Sequence, residues 1–343
     1  MRGFLGRVLI GALAGGLLAV AGVALFADEN LDAPRPAAGP TRFVVEDGRI
    51  LSPDGRRFVV KGITIPYGTF AGGDRQGLGA LNYVMTKADF RRLDGLDVNT
   101  VKVLVTPRPR DSAQLPRLRK VVRRARERGF VVQIAPAFTT FRAAKPLLQR
   151  LARTYRRDPY VWLQPMSQPN CPGGPPTPRC FDWVLWQRQQ TELIETIRDE
   201  GMRSPVVVNT PNYSSDLSRI DTYPLQDDSV IWGVHRFANL RTEWTEAERQ
   251  DERRAWANRT LDQAVIVDAV GSRAAPEFPA LTPWVEGFLD FTTEWIAEND
   301  GSGVTAFVWH WYGANSMTKG SGALTDWGQL FVNRYLQRIS GRG

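Results

Sequence analysis

Between residue 43 and the C-terminus the spacing of apolar residues switches repeatedly between two periods. Short runs rich in Val, Ile and Leu predict strands buried on both faces at 62–66, 100–105, 130–136, 161–166, 205–209, 230–235, 264–269 and 304–309. Longer stretches carry an apolar residue every three or four positions, with Arg, Lys or Glu between. These predict amphipathic helices near 87–95, 115–128, 144–157, 182–201, 243–259, 281–299 and 327–339. Apolar strands alternating with amphipathic helices imply βαβ units and a parallel sheet. Eight units in about 280 residues favour an α/β fold closed as a (β/α)8 TIM barrel over an open sheet. No internal repeat is visible, and no glycine-rich nucleotide loop follows the first strand.

Ahead of the barrel, Phe43-Val44-Val45, a turn at Asp47-Gly48, Ile50-Leu51, a Pro53-Asp54-Gly55 turn and Phe58-Val59-Val60 predict an N-terminal β-hairpin. Residues 28–42 are rich in Pro and Ala and read as a stiff linker. Residues 8–27 form an uncharged run preceded by Arg2 and Arg7, about 20 residues long and so able to span a bilayer as a helix. The basic flank keeps that end in the cytoplasm and sends the rest across. The expected layout is therefore a signal anchor or signal peptide over 1–27, a linker over 28–42 and a barrel over 43–343. The barrel is extracytoplasmic, held at the cell membrane by a single-pass N-terminal transmembrane helix, or secreted if that segment is cleaved.

The 43% hydrophobic content and 11 Trp of the 343 residues suffice for a large core. A net charge of +8 would suit a nucleic-acid partner, but the arginines fall in helical runs such as Arg119, Arg123, Arg124, Arg126 and Arg128, which read as solvated helix faces. No zinc spacing or RNA-binding signature accompanies them, so no nucleic acid is expected. With two histidines, neither a metal site nor any cofactor is predicted. The two cysteines, Cys171 and Cys180, can close a small disulfide loop in an oxidising compartment, worth about 2–3 kcal/mol. Nothing in the sequence sets an oligomeric state.

Seven phrases in order resemble the cellulase-like family 5 of the (β/α)8 glycoside hydrolases. They are residues 47–68, 93–105, 125–138, 155–170, 229–237, 264–272 and 304–313. The resemblance implies a retaining glycosidase site at the barrel mouth, with a general acid/base Glu in an Asn-Glu-Pro phrase after the fourth barrel strand and a nucleophilic Glu at the end of the seventh. Here the first phrase reads Ser167-Gln168-Pro169, and the second place reads Asp268-Ala269-Val270-Gly271. The basic residue of the second strand is Lys102, the sixth-strand phrase is His235-Arg236-Phe237, and the eighth-strand Trp is retained as Trp309.

Retaining hydrolysis uses two carboxyl groups about 5–5.5 Å apart. Gln168 carries no acidic proton, a loss worth about 10²–10⁴-fold, and Ala269 has no nucleophilic atom. Strand alternation turns Asp268 away if Ala269 faces the mouth, unless a bulge re-aims it. What remains is a carbohydrate-binding surface of aromatic faces, amides and hydroxyls, for which the candidates are Tyr67, Lys102, Ser167, Gln168, Asn170, His235, Phe237 and Trp309. The sequence thus favours a pseudo-glycosidase that binds a polysaccharide or oligosaccharide. Two readings compete with it: an active glycosidase with relocated carboxylates, and an envelope protein scaffold.

Overall fold

The computed structural model describes residues 41–67, 85–105, 114–136, 140–170, 177–238, 241–257, 263–271, 283–299, 302–306, 316–319 and 322–340. Residues 39–343 form one compact unit. No described helix is long and apolar enough to cross a membrane; residues 1–40, the expected anchor among them, lie outside the described residues.

Two short strands, β1 (Val44–Glu46) and β2 (Arg49–Leu51), pair antiparallel as the sequence predicts. Asp47 and Gly48 both take positive φ, 48° and 73°, which lets a two-residue turn follow the strands' twist. The third apolar run touches β2 briefly, through an antiparallel Leu51–Arg57 bridge and a Phe58 N–H to Ile50 carbonyl bond of 2.7 Å. Val60 then opens the first barrel strand, β3 (Val60–Tyr67).

Seven more parallel strands complete a closed barrel: β4 (Thr100–Val105), β5 (Val131–Pro136), β6 (Val161–Leu163), β7 (Val206–Asn209), β8 (Val230–Phe237), β9 (Ala264–Gly271) and β10 (Gly303–Ala306). The chain order is also the spatial order, and β10 closes on β3. Gly303 makes that closure possible. It sits at φ 118°, and a Cβ there would lie 2.3 Å from the Val60 carbonyl oxygen.

Helices alternate with these strands near the predicted places. Thr140 accepts a hydrogen bond from the Ala143 N–H and starts its helix, Phe141–Tyr155, three residues earlier than hydrophobic periodicity suggests. Asp182 caps Trp183–Asp199 in the same way, through the Leu185 N–H.

Alternation along each strand builds two cores. Outward residues such as Val101, Val103, Val132, Ile134, Trp232 and Val267 pack against the helices. Inward residues near the strand starts, including Val60, Val131, Trp162, Val207, Ile231 and Ile266, join Phe43 and Ile50 of the hairpin to plug the barrel floor. Phe43 lies edge-on to Phe58, Tyr160 and Trp162 at 5.0–5.2 Å between ring centres. The apolar floor leaves polar side chains to the layer above it.

Candidate functional site

One turn above the floor the inward residues change from apolar to polar. Thr64 of β3, Lys102 of β4 and Gln133 of β5 stand side by side in register. Gln164 follows β6, Asn209 ends β7, His235 lies on β8, and Asp268 lies on β9. All seven are buried. A buried polar layer holds only if its members satisfy one another.

Asp268 is the hub. Its side chain is 0% exposed and that of Lys102 1%, with Nζ 2.5 Å from Oδ2. Gln133 Nε2 donates to Oδ1 at 2.8 Å, and Asn209 Nδ2 donates to Oδ2 at 2.9 Å. Gln133 Nε2 also reaches Gln164 Oε1 at 2.7 Å, and Gln164 Nε2 reaches Asn209 Oδ1 at 2.5 Å. Gly233 leaves room for this web, since a Cβ there would fall 2.7 Å from Asn209 Nδ2 and 3.0 Å from Asp268 Cβ.

The inward aim of Asp268 corrects the expectation that it turns away. Ala264 and Ile266 face inward and Val267 outward, so plain alternation brings Asp268 inward. The register against β8 then slips: Val234 pairs with Val267, but His235 pairs with Ala269. Asp268 is the extra residue of this β-bulge. The outward phase resumes at Val270, and the β-bulge sets Ala269 opposite His235.

Burial by itself raises the Asp268 pKa. The Lys102 charge and the hydrogen bonds overcome that and hold the carboxyl well below its ordinary range. Burial drives the Lys102 pKa down, against the opposing pull of Asp268. His235 is also lowered, by burial first and by the nearby Lys102 and Arg236 charges, so it is neutral at pH 7.

His235 Nε2 lies 3.5 Å from Asp268 Oδ2, and its Nδ1 lies 3.2 Å from Gln168 Nε2. An ionised carboxylate beside Nε2 selects the tautomer with its proton there, which leaves a lone pair on Nδ1. The Gln168 amide then donates to Nδ1, and its carbonyl becomes the end free to accept from a ligand. Gln168 is half-buried at φ 51°, and its N–H points to Asn209 Oδ1 at 3.3 Å. Asn170, two residues on, takes φ 62°. Left-handed backbone at two non-glycine residues marks a segment held in place by its surroundings.

The structure therefore gathers His235, Gln168, Ser167 and Asn170 at the C-terminal rim of β6–β8, with Phe237 edge-on to His235 at 6.4 Å. Lys102, expected as a binding residue, lies beneath this rim, sealed from solvent and committed to Asp268. Tyr67 ends β3 opposite Val105. Cys180 is disulfide-bonded; Cys171 and Trp309 lie outside the described residues. Sequence reasoning missed Gln133 and Gln164, although a lone Gln in VVQIAP and in VWLQPM, amid apolar strand residues, is a legible mark.

Asp268 has both oxygens engaged, and no other Asp or Glu among the described residues is bonded into the layer. No described cluster of His, Cys, Asp or Glu is set to hold a metal. What the rim offers a ligand is the Gln168 amide, the half-buried Ser167 and the Phe237 ring.

Residues 80–315 match the family model for cellulase (glycosyl hydrolase family 5). No curated protein sequence matches the chain. Among solved structures, a β-glucanase from Saccharophagus degradans is 16% identical at a TM-score of 0.68, over 91% of this chain and 99% of its own. An endoglucanase catalytic domain from Thermobifida fusca is 16% identical at 0.68, over 86% and 97%. A Thermomonospora fusca β-mannanase bound to mannohexaose is 14% identical at 0.64, over 88% and 97%.

Proposed function

The chain belongs to glycosyl hydrolase family 5, and from that membership we propose that it binds a β-linked glycan at the barrel mouth without cleaving it. One observation carries the reading. The carboxylate of the buried layer, Asp268, has both oxygens engaged by Lys102, Gln133 and Asn209. The resemblance aligns Gln168 and Ala269 with the family's acid/base and nucleophilic glutamates, so neither place supplies a carboxyl group. The two-carboxylate route then has no proton donor and no nucleophile.

Binding needs less. Gln168, fixed by His235, turns its carbonyl outward to accept from a sugar hydroxyl. Ser167 and Asn170 flank it, and the Phe237 edge offers apolar contact. The sequence expects Tyr67 and Trp309 to add aromatic faces to the same mouth. The related β-glucanase has been solved with cellotetraose and the β-mannanase with mannohexaose, so hexose chains of these two kinds are the ligands to try first.

Hydrolysis by a relocated carboxylate is the second reading, because the inward Asp268 is the group it would use. A carboxylate sealed from solvent, ion-paired with Lys102 and hydrogen-bonded at both oxygens is poorly placed to attack an anomeric carbon. The uncharged run 8–27 behind Arg2 and Arg7 supports an extracytoplasmic barrel, where such glycans occur.

Calorimetry with cello- and manno-oligosaccharides, run beside an assay for released reducing ends, tests this reading. Saturable binding of one series, weakened in Gln168→Ala, with no released ends, is the expected result. Turnover that survives Gln168→Ala and vanishes in Asp268→Asn would overturn it. Absence of binding to every glycan tried would favour the scaffold reading.

A further inference from the structure

Among the described residues two large apolar side chains stand exposed, Phe181 at 49% and Val184 at 65%, three positions apart. Phe181 ends a 3-10 turn, Pro178–Phe181, and Val184 lies in the first turn of helix Trp183–Asp199. Both belong to the connection that leaves β6 and carries Gln168. Connections of this kind sit at the C-terminal face of the barrel, which is its mouth. Burying a Phe side chain stabilises a fold by about 1.5–3 kcal/mol, and the fold forgoes that at Phe181.

The exposed ring stands on a fixed base. Cys180, next to it, is buried and disulfide-bonded. Asp182, on its other side, accepts from the Leu185 N–H at 2.8 Å and starts the helix. Beneath them the buried Trp183 stacks on Tyr223 with ring centres 5.7 Å apart. The turn also packs on Pro211–Ser214, which follows β7 and holds Asn212, Tyr213 and Ser214 at φ 54°, 56° and 66°. An aromatic ring presented this way loses little freedom when a ligand covers it.

The turn continues the rim built around Gln168. Two residues of chain, about 7 Å at most, carry Gln168 to Asn170, and Cys180 Sγ lies 3.4 Å from the Asn170 carbonyl oxygen. Phe181 is therefore within a short oligosaccharide's length of Gln168. The apolar patch is also small, and the exposed Arg179, Asp182 and Arg188 border it. A stable protein contact buries about 800 Å² on each partner around an apolar core. Two side chains supply far less than that. A hexose fits them better, because its C–H face lies flat on an aromatic ring while its hydroxyls reach the charged neighbours.

We propose that Phe181, with Val184 beside it, is a stacking platform for a sugar unit beyond the one held at Gln168. The ligand is then an oligosaccharide lying across the β6–β7 edge of the mouth. The inference rests on the glycan reading and adds to it a place and a length.

Calorimetry with a trisaccharide and a hexasaccharide of the cello and manno series tests it, on wild type, Phe181→Ala and Phe181→Trp. The ring is exposed, so neither substitution should disturb the fold. Wild type should bind the hexasaccharide several-fold more tightly than the trisaccharide. That ratio should fall to near one in Phe181→Ala and return in Phe181→Trp. Equal affinity for the two lengths in wild type would overturn the platform and leave binding at Gln168 in place. A ratio that Phe181→Ala preserves would do the same. Binding of neither length would overturn both readings together. Sedimentation of the same proteins covers the remaining occupant. A wild-type dimer that Phe181→Ala dissociates, with the affinity ratio unchanged, would make the patch a contact between two copies of this chain.

Discussion

Lys102 Nζ lies 2.5 Å from Asp268 Oδ2 in the middle of the barrel, where neither side chain meets solvent. Charges this deep are tolerated only in company, since an isolated buried carboxylate or ammonium loses its hydration with nothing in return. Lys102→Met should therefore destabilise the fold by about 3–5 kcal/mol, read from denaturant unfolding. The pair replacement Lys102→Met with Asp268→Leu should cost much less, because it removes both charges together. A single variant as stable as the wild type would mean that the pair is not charged.

Acid should weaken the same pair. The Asp268 pKa is depressed in the folded state, so its stabilising contribution is full above the unfolded carboxyl's ordinary value of 3.8 and is lost as pH falls from there through the folded value. His235 adds to this. Its folded pKa lies below 6.5, so the unfolded state binds the extra proton first and stability declines as pH drops past 6.5. Unfolding free energies from pH 7 to pH 3 should fall less steeply in the double variant than in the wild type. Parallel slopes would count against the assigned ionisation states.

The tautomer of His235 is open to direct measurement. Nitrogen NMR of the imidazole should show a neutral ring at pH 7 with its proton on Nε2, facing Asp268, and no ring protonation until well below pH 6.5. In Asp268→Asn the preference should weaken, because the charge that imposes it is gone. A proton found on Nδ1 would reverse the Gln168 amide and make it a donor toward ligands.

Much of this architecture was legible in the sequence. Eight apolar runs separated by helical patterns mark the barrel because strand burial on both faces leaves a continuous Val/Ile signature, as in Val206, Val207 and Val208. The strands that carry His235 and Ala269, two residues short of their C-terminal ends, were legible too. The aim of Asp268 was not. Alternation assigns a phase only once one residue's direction is known, and assuming that Ala269 faces the mouth fixed the wrong phase for its neighbour. The slip at Val234 and His235 depends on hydrogen bonding between β8 and β9, which a single strand's residues do not encode. Lys102 was misread for a related reason. A Lys in an apolar strand advertises a partner, but the partner sits 166 residues away.

Gly233 gives a steric test of the web. Gly233→Ala places a methyl group 2.7 Å from Asn209 Nδ2, where no rotamer of the new residue relieves the contact. Asn209 must move, and with it go its bonds to Asp268 and Gln164. Overpacking of this kind costs about 1–3 kcal/mol, and glycan affinity should fall as well, because Asn209 also receives the Gln168 N–H. Unchanged affinity in a destabilised variant would separate the web from the binding rim.

Reinstalling the missing acids tests the reading of the mouth most severely. Gln168→Glu alone should yield no turnover, since a general acid without a nucleophile cannot open the two-step route. It should still show a raised carboxyl pKa, because the His235 Nδ1 lone pair that now accepts from the amide would favour a protonated carboxyl group there. Adding Ala269→Glu supplies the second carboxyl beside His235 on the neighbouring strand. If Gln168 and Ala269 occupy the places of a catalytic pair, the double variant should release reducing ends from whichever oligosaccharide the wild type binds. The Ala269→Glu single variant, which keeps Gln168, should be slower than the double variant by about 10²–10⁴-fold. A folded double variant that binds the glycan and never cleaves it would place the two positions outside the reacting centre.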